Sequence, residues 1–587
     1  MMTDSTERRY GDNDSTATSA TAAENTPLLR SETPSTIAAR DVSSASERQA
    51  SDNPGRQLGP GRVACIVLSM WALIFLQASN MSGISTTQST IAADLDAYES
   101  AMWFTSAYMI SMSSVAPLAG RLAMIFSAPT MVLLSAGCFS VGALVTALAP
   151  TFAVFILGRV VLGVGSGGIM TLCMILVIDL TSKQRRGLWI GLTNAGFTFG
   201  VSAGAVVFGA LLPVLGWRLL LGLQAPLSAV AGLAVSLSIP STGAHETHKH
   251  KTTLQKLAGV DYAGAAALAT TIALFLYSLS TPAVSLLPLL LSLLSLLLFL
   301  LIESRLALDP VIPTSLLRSR GVLLSCLAQL GFMASRWTVL FYSPIFVLAV
   351  RGLSPAVAGT VLIPTNLGFG LGGLLVGALH IRRAGSFWLP ALLALAGFAA
   401  SLLALGFVSD ARAAPAAYVA VVLANGLFTG AALNYTLAHL LHVAAPEMHF
   451  IATGLLSTFR GFAGSFGTAI GGGVFARTLK DALAEGFARL DRGGGAGNKA
   501  RERLVSVLIG SPAAVWQDGV LSEAERAVAV GGYERALAVL YRAAAALCVL
   551  VVVMQAGTGW AAPAGEKVDE DGCDEGLVGE RDRGAEA

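Results

Sequence analysis

Three arginines stand inside long apolar stretches of this chain: Arg159, Arg336 and Arg460. An ionised side chain at that depth is expensive, so its presence points to a proton, an ion or a charged ligand that it meets. The competing reading is structural: arginine can reach for exposed carbonyls or for the membrane surface. His439 and His442 stand near the end of another stretch, and Asp179 closes the stretch of Arg159, beside Lys183, Arg185 and Arg186. Polar uncharged residues are dense in the first stretch, at Gln77, Asn80, Ser82, Thr86, Thr87 and Gln88. Tyr108, Tyr342, Asn366, Asn434 and Tyr435 interrupt others. A polar face in an apolar bundle either lines a pathway or joins helices, and the density in the first stretch favours a pathway. Asp94, Asp96 and Glu99 cluster just after it, where they attract cations to a mouth or form a solvated loop. No carboxylate lies in the middle of any stretch.

Other patterns carry less chemistry. Gly163-Val164-Gly165-Ser166-Gly167-Gly168 matches G-x-G-x-x-G, but it lies inside an apolar stretch and not between a strand and a helix, so it reads as helix packing. There is no phosphate-binding loop and no nucleophile–base constellation, so the sequence predicts neither an enzyme nor a cofactor. His245, His248 and His250 form H-x-x-H-x-H in a polar loop, which reads as a soluble loop. The six cysteines are scattered without metal or disulfide spacing.

The elements that hold these residues are set by composition. The 587 residues are 54% hydrophobic and 13% charged, with a mean hydropathy of +0.67. A soluble domain carries about 25% charged residues. The apolar runs are continuous and suit helices of ~20 residues that cross a hydrocarbon layer. Barrel strands would alternate over ~10 residues. Fourteen spans are predicted at 62–88, 102–123, 130–149, 152–180, 187–212, 218–239, 258–279, 283–303, 321–350, 355–379, 386–408, 415–442, 450–477 and 535–556. Short loops after even-numbered spans hold Arg121, Lys183, Arg185, Arg186, Lys249, Lys251, Lys256, Arg305, Arg318, Arg320, Arg382 and Arg383, whereas those after odd-numbered spans hold Arg218, Arg351 and Arg412. The positive-inside rule then places both termini in the cytosol.

Glycines suggest a duplication. Gly196, Gly200 and Gly204 line span five at four-residue spacing, and Gly467 and Gly471 line span thirteen, letting helix backbones approach closely. With spans seven and eight as an insert, spans five and thirteen hold equivalent places in two halves. The fold class expected is an all-α polytopic membrane protein of two six-helix halves plus two extra helices. Its parts are a disordered cytosolic tail (1–60), an N-terminal half (61–240), a cytosolic loop with the two additional helices (241–320), a C-terminal half (321–560) with a long non-cytosolic loop at about 478–534, and a disordered acidic tail (561–587). Glu24-Asn25-Thr26-Pro27-Leu28-Leu29 fits an acidic dileucine sorting signal, with Glu24, Leu28 and Leu29 as its reading points for a cytosolic adaptor.

Several strings together resemble the major facilitator superfamily, in particular its fourteen-span drug:proton antiporter branch. They are Gly158-Arg159-x-x-x-Gly163-x-Gly165, Gly196 to Gly204, Trp217-Arg218, Asp261-Tyr262-Ala263-Gly264, Pro310-Val311-Ile312-Pro313 and Arg351-Gly352-Leu353-Ser354-Pro355. The chain is most similar to fungal vacuolar transporters of basic amino acids, through Asn434-Tyr435-Thr436-Leu437 and Phe459-Arg460-Gly461 onward. Two departures stand out. Met124, Ser127, Ala128 and Pro129 occupy places where the family's gating motif has an acidic residue, a glycine and basic residues, and Asn80 stands where span one has an aspartate. The resemblance implies proton-coupled antiport of lysine, arginine and histidine into the vacuole by alternating access. A plasma-membrane exporter of drugs or metabolites is the alternative, and a non-transporting nutrient sensor is a third. It implies proton coupling through Arg159, with Asp179 nearby, and a substrate cavity drawn from Asn80, Gln88, Tyr108, Arg336, Asn366, Asn434 and Arg460. Expected partners are a small-molecule substrate, protons and membrane lipid, with no nucleic acid, and the expected state is a monomer.

Overall fold

The computed structural model describes residues 60–180, 186–239, 261–280, 284–305, 319–377, 386–444, 449–491 and 498–560. Glu24, Leu28, Leu29 and the histidine string lie outside these, and the side chain of Asp179 is likewise outside the described atoms. Among the described residues every regular element is a helix. In chain order they are α1 (Pro60–Asp94), α2 (Trp103–Ile125), α3 (Ala128–Ala147), α4 (Phe152–Leu180), α5 (Arg186–Gly222), α6 (Gln224–Ser238), α7 (Tyr262–Ser280), α8 (Leu286–Arg305), α9 (Arg320–Ala349), α10 (Pro355–Thr360), α11 (Leu362–Leu375), α12 (Trp388–Val408), α13 (Pro415–Val443), α14 (His449–Asp491), α15 (Asn498–Gly510) and α16 (Glu523–Ala556).

Local chemistry sets several boundaries. Ser127 begins α3 by accepting the Thr130 N–H, with Pro129 in the first turn, where its missing N–H costs nothing. Ser354 and Pro355 repeat the device at α10. Ser522 and Glu525 form a reciprocal capping box at α16. Spans five and six meet at Gly216, whose φ of 69° and ψ of 162° break the helical path within α5. Only glycine takes that conformation cheaply.

Eleven described helices are long and apolar enough to cross a membrane, and α6 is a shorter apolar helix. Helix α14 does not reach that apolarity, although it occupies an expected span. Much of α14 is Gly, Ser, Thr and Arg, because it packs between other helices and presents little surface to lipid. Burial sorts the rest: the apolar window of α9 is 100% buried and that of α8 only 17%. So α9 runs through the centre, and α8 lies at the rim with Leu287, Leu290, Leu294 and Leu297 exposed.

The two halves repeat one packing scheme. In the first, α1 packs on α5, α2 on α4, α3 on α4 and α6; in the second, α9 packs on α14, α11 on α13, α12 on α13 and α16. The glycine stripes sit at matching contacts. A Cβ on Gly200 would lie 2.8 Å from the Ala78 Cβ, and one on Gly204 would collide with the Ser79 backbone, both on α1. Gly467 meets the Ala334 carbonyl and Gly471 meets Thr338, both on α9. Helices in lipid gain no hydrophobic drive from meeting, so dispersion at short range is what joins them. The additional pair α7–α8 packs on α2 and α14. There Trp103 meets Tyr277 at 5.6 Å between ring centroids, and Arg477 donates to the Leu279 carbonyl at 3.1 Å.

The polar stretch between the last two spans is largely helical. Helix α14 continues to Asp491, α15 follows, and α16 starts at Glu523. Leu479, Leu483 and Phe487 recur every fourth residue and are buried, as are Leu508 and Tyr533. This gives the segment its own small core. Arg501 ties it together with two bonds to Asp491, at 2.8 and 2.9 Å, and a third to Glu525. These bonds, the Asp491 pair first, hold the guanidinium above its ordinary pKa.

Three outcomes follow for stability. Gly467→Ala drives a methyl into the α9 backbone and should cost about 1–3 kcal/mol. Gly461→Ala points into open space and should be neutral or stabilise by up to about 1 kcal/mol; thermal unfolding in detergent separates the two. Arg501→Met leaves two carboxylates facing each other. It should speed amide exchange across 498–522 by about fivefold, equivalent to about 1 kcal/mol for a partly exposed network, with exchange in α4 unchanged.

Candidate functional site

Among the polar residues of α1, Asn80 meets Arg159, whereas Ser82, Ser85, Thr86 and Thr87 bond carbonyls of their own helix. The Arg159 guanidinium is fully buried. Its Nε donates to the Phe104 carbonyl of α2 at 2.6 Å, its Nη1 donates to the Asn80 Oδ1 of α1, and its Nη2 has no partner. Asn80 in turn donates through Nδ2 to the Gln224 Oε1 of α6 at 2.7 Å. The cation lies 4.6 Å from the centre of the Tyr108 ring, and Tyr108 donates to the Ser166 hydroxyl at 2.8 Å. One arginine thus joins α1, α2, α4 and α6 through neutral oxygens.

Arg336 is the counterpart in the second half. It is 4% exposed and donates to the Thr365 hydroxyl at 3.2 Å and the Asn366 Oδ1 at 2.9 Å. Phe369 sits under it at 4.7 Å. Asn366 passes the connection to the other half, donating to Ser202 Oγ of α5 at 2.7 Å. Arg460 differs from both: it lies among the helices, is half-buried, and makes no hydrogen bond among the described residues. Among the described residues none of the three forms an ion pair. Glu303, at the end of α8, is the one buried carboxylate among them.

The halves meet along two seams. On one, Ser202 donates to the Leu362 carbonyl at 3.3 Å, Gly359 abuts Ala205, and Gly209 abuts Pro355. On the other, Ser113 donates to Ser465 at 3.1 Å, and Gly464 abuts Met109 and Trp337. Trp337 also meets Phe197 of α5 edge-on at 6.1 Å, a further contact between the halves.

Residues 70–468 match the profile described as Major Facilitator Superfamily. The chain belongs to that superfamily. Within it, the chain is 28% identical over 448 residues to MFS efflux transporter aclA of Aspergillus oryzae, covering 73% of this chain and 78% of that one. It is 27% identical over 319 residues to Vacuolar basic amino acid transporter 1 of Saccharomyces cerevisiae, covering 53% and 56%. A bacterial homologue of the human lysosomal transporter Spinster, solved inward-facing, shares the fold with a TM-score of 0.57 at 14% identity, over 86% of this chain and 99% of that one. The protein is therefore a multi-pass membrane transporter of the major facilitator fold and not an enzyme.

In this facilitator the remaining sequence candidates scatter. Asn434 is half-buried and donates to the Gly430 carbonyl of its own helix at 2.9 Å. Gln88 lies at the mouth, donating to the Gly510 carbonyl at 3.4 Å. Asp94 is taken by Arg218 and by the Trp217 Nε1, the latter at 3.2 Å. Glu99 accepts from Ser506 at 2.8 Å, and Asp96 is an exposed turn residue with φ 46°. His439 bonds Thr558 at 2.8 Å, and His442 lies beside Phe387.

Sequence reading passed over Gln224, Ser202, Thr365 and Trp337. Gln224 was findable as a lone amide in an apolar span, whereas Ser202 and Thr365 are too common in membrane helices to stand out. The Arg159 network makes a direct prediction. Asn80→Ala strands Gln224 and one more guanidinium nitrogen in the interior and should cost about 2–3 kcal/mol. Asn80→Asp should keep the bond to Arg159 and retain most of the stability, as read by melting of the purified transporter.

Proposed function

We propose that the chain is a secondary active transporter that works by alternating access and exports a neutral or anionic organic compound. The observation that carries this reading is the set of three interior arginines with no ion pair among the described residues. A site with that charge repels lysine or arginine and leaves their ammonium or guanidinium group without a counter-ion. A relative named as an efflux transporter supports it, and the similarity covers 73% of this chain. In this reading the halves rock about the contact of Trp337 with Phe197, the gradient is one of protons, and Arg159 supports coupling by holding α1, α2, α4 and α6 together.

A second reading is proton-coupled uptake of lysine, arginine and histidine into the vacuole, with both termini cytosolic, Glu24, Leu28 and Leu29 read by a sorting adaptor, and the protein monomeric. The similarity to a yeast protein named for vacuolar basic amino acid transport favours it. It needs a carboxylate in the path. Asp94 is engaged by Arg218, which leaves Asp96, Glu99 and Asp179 as the residues to supply one.

The deciding measurement is flux through vesicles that hold the full-length protein, with the pH gradient imposed or collapsed. Labelled lysine and arginine are compared with an uncharged naphthamide and its carboxylate counterpart. The expected outcome is gradient-dependent movement of the latter pair and none of the amino acids. Protein-dependent lysine uptake that vanishes with the gradient would put the vacuolar reading first.

A further inference from the structure

Arg159 and Arg336 spend their hydrogen bonds on Phe104, Asn80, Thr365 and Asn366. Arg460 has no such partner among the described residues, although it sits among the helices and keeps part of its side chain accessible. A guanidinium buried for structural reasons collects carbonyls or carboxylates until its donors are used. One that is set among helices, accessible and idle is placed to meet something that comes and goes.

Its setting on α14 is consistent with a binding position. Nearer the start of α14 than Arg460, a Cβ added at Gly454 would meet nothing within 4 Å and Ser457 is exposed, and just past Arg460 a Cβ at Gly461 is equally unopposed. One turn further on, the helix closes tightly: Gly464 abuts Met109 and Trp337, and Gly467 abuts the Ala334 carbonyl. So α14 changes at Gly461 from an open face of small polar residues to a packed seam, and Arg460 stands at that change. Phe459, the residue before Arg460 on α14, packs with Phe466, Phe275 and Ile110 against one buried cluster.

Resting on the transport reading above, we propose that Arg460 anchors an anionic group of the transported compound, specifically a carboxylate attached to an apolar or aromatic body. Arginine's planar fork meets both oxygens of a carboxylate, and the pairing gains strength where water is scarce. The open face of α14 gives the anion its approach, and Trp337 and Met109 close the far end against the apolar body. Arg460 then determines specificity rather than holding the fold together.

The test uses three compounds of one shape: naphthoate, naphthamide and naphthylmethylammonium. Their gradient-driven flux is measured in vesicles holding the full-length protein or its variants. The wild type should prefer naphthoate to naphthamide by about tenfold or more, the usual worth of a charged hydrogen-bonded contact. Arg460→Gln should level that preference, with naphthamide still moved above protein-free vesicles, and thermal melting of the purified variant shows that it is folded. Arg460→Lys, which keeps the charge and loses the fork, should recover part of the preference, and it serves as the second variant if Arg460→Gln is poorly made. An undiminished naphthoate preference in Arg460→Gln overturns the assignment to Arg460. Equal flux of naphthoate and naphthamide in the wild type overturns anion recognition and leaves the export reading standing. Preference for the ammonium compound overturns both.

Discussion

A cation inside a low-dielectric bundle must be held by oxygens, and where no carboxylate is at hand those oxygens come from several helices at once. Arg159 shows this constraint most fully. Its donors draw in a carbonyl of α2 and the amide of Asn80 on α1, and Asn80 turns its own nitrogen to Gln224 on α6. The first half of the molecule is arranged around that chain of neutral acceptors. Arg336 does the same in the second half with a hydroxyl and an amide. Its chain runs onward through Asn366 to Ser202 of the other half. Replacing neutral acceptors by carboxylates would fix each arginine more strongly and would also make it indifferent to an arriving charge.

The glycine stripes supply the distance over which such bonds reach. Gly200 and Gly204 bring α5 onto α1 at Ala78 and Ser79, next to Asn80, and Gly467 brings α14 onto α9 at Ala334, two residues from Arg336. Close backbone approach and polar network therefore occur at the same level in both halves. A larger residue at either stripe would lengthen bonds that tolerate little lengthening.

The spans, the insert of two helices and the repeat of halves were legible because each rests on a long, redundant pattern. Length and apolarity marked the spans, and Gly196, Gly200 and Gly204 on one helix with Gly467 and Gly471 on another marked the repeat. The interior arginines were legible as exceptions to apolarity. Asn80, Tyr108 and Asn366, which meet them, stood out as polar interruptions, but Ser202 and Thr365 did not, because a lone serine or threonine looks the same whether it bonds its own helix, as Thr429 does with Asn425, or bridges two halves, as Ser202 does. The segment after span thirteen read as a polar loop because charges and glycines interrupt its apolar residues throughout. Its helices are written in the four-residue spacing of Leu479, Leu483 and Phe487 and in the Ser522–Glu525 box, signals that overall polarity masks. The mouth carboxylates read as a cation-attracting mouth or a solvated loop, and Asp94 is held by Arg218, two residues past the Gly216 break.

The hairpin α7–α8 breaks the symmetry of an otherwise two-fold molecule. It lies over the seam where α2 meets α14, with Trp103, Phe466 and Arg477 each engaged by α7. The opposite seam, where α5 meets α10 and α11, carries no such cover among the described residues, and Phe199, Val207, Ile363 and Leu367 are exposed along it. One flank of the transporter is thus wainscoted and the other is bare joinery. A greasy molecule already dissolved in the bilayer meets a double wall of helices on the first flank. On the second, among the described residues, no further helix lies between the lipid and the joint of the halves.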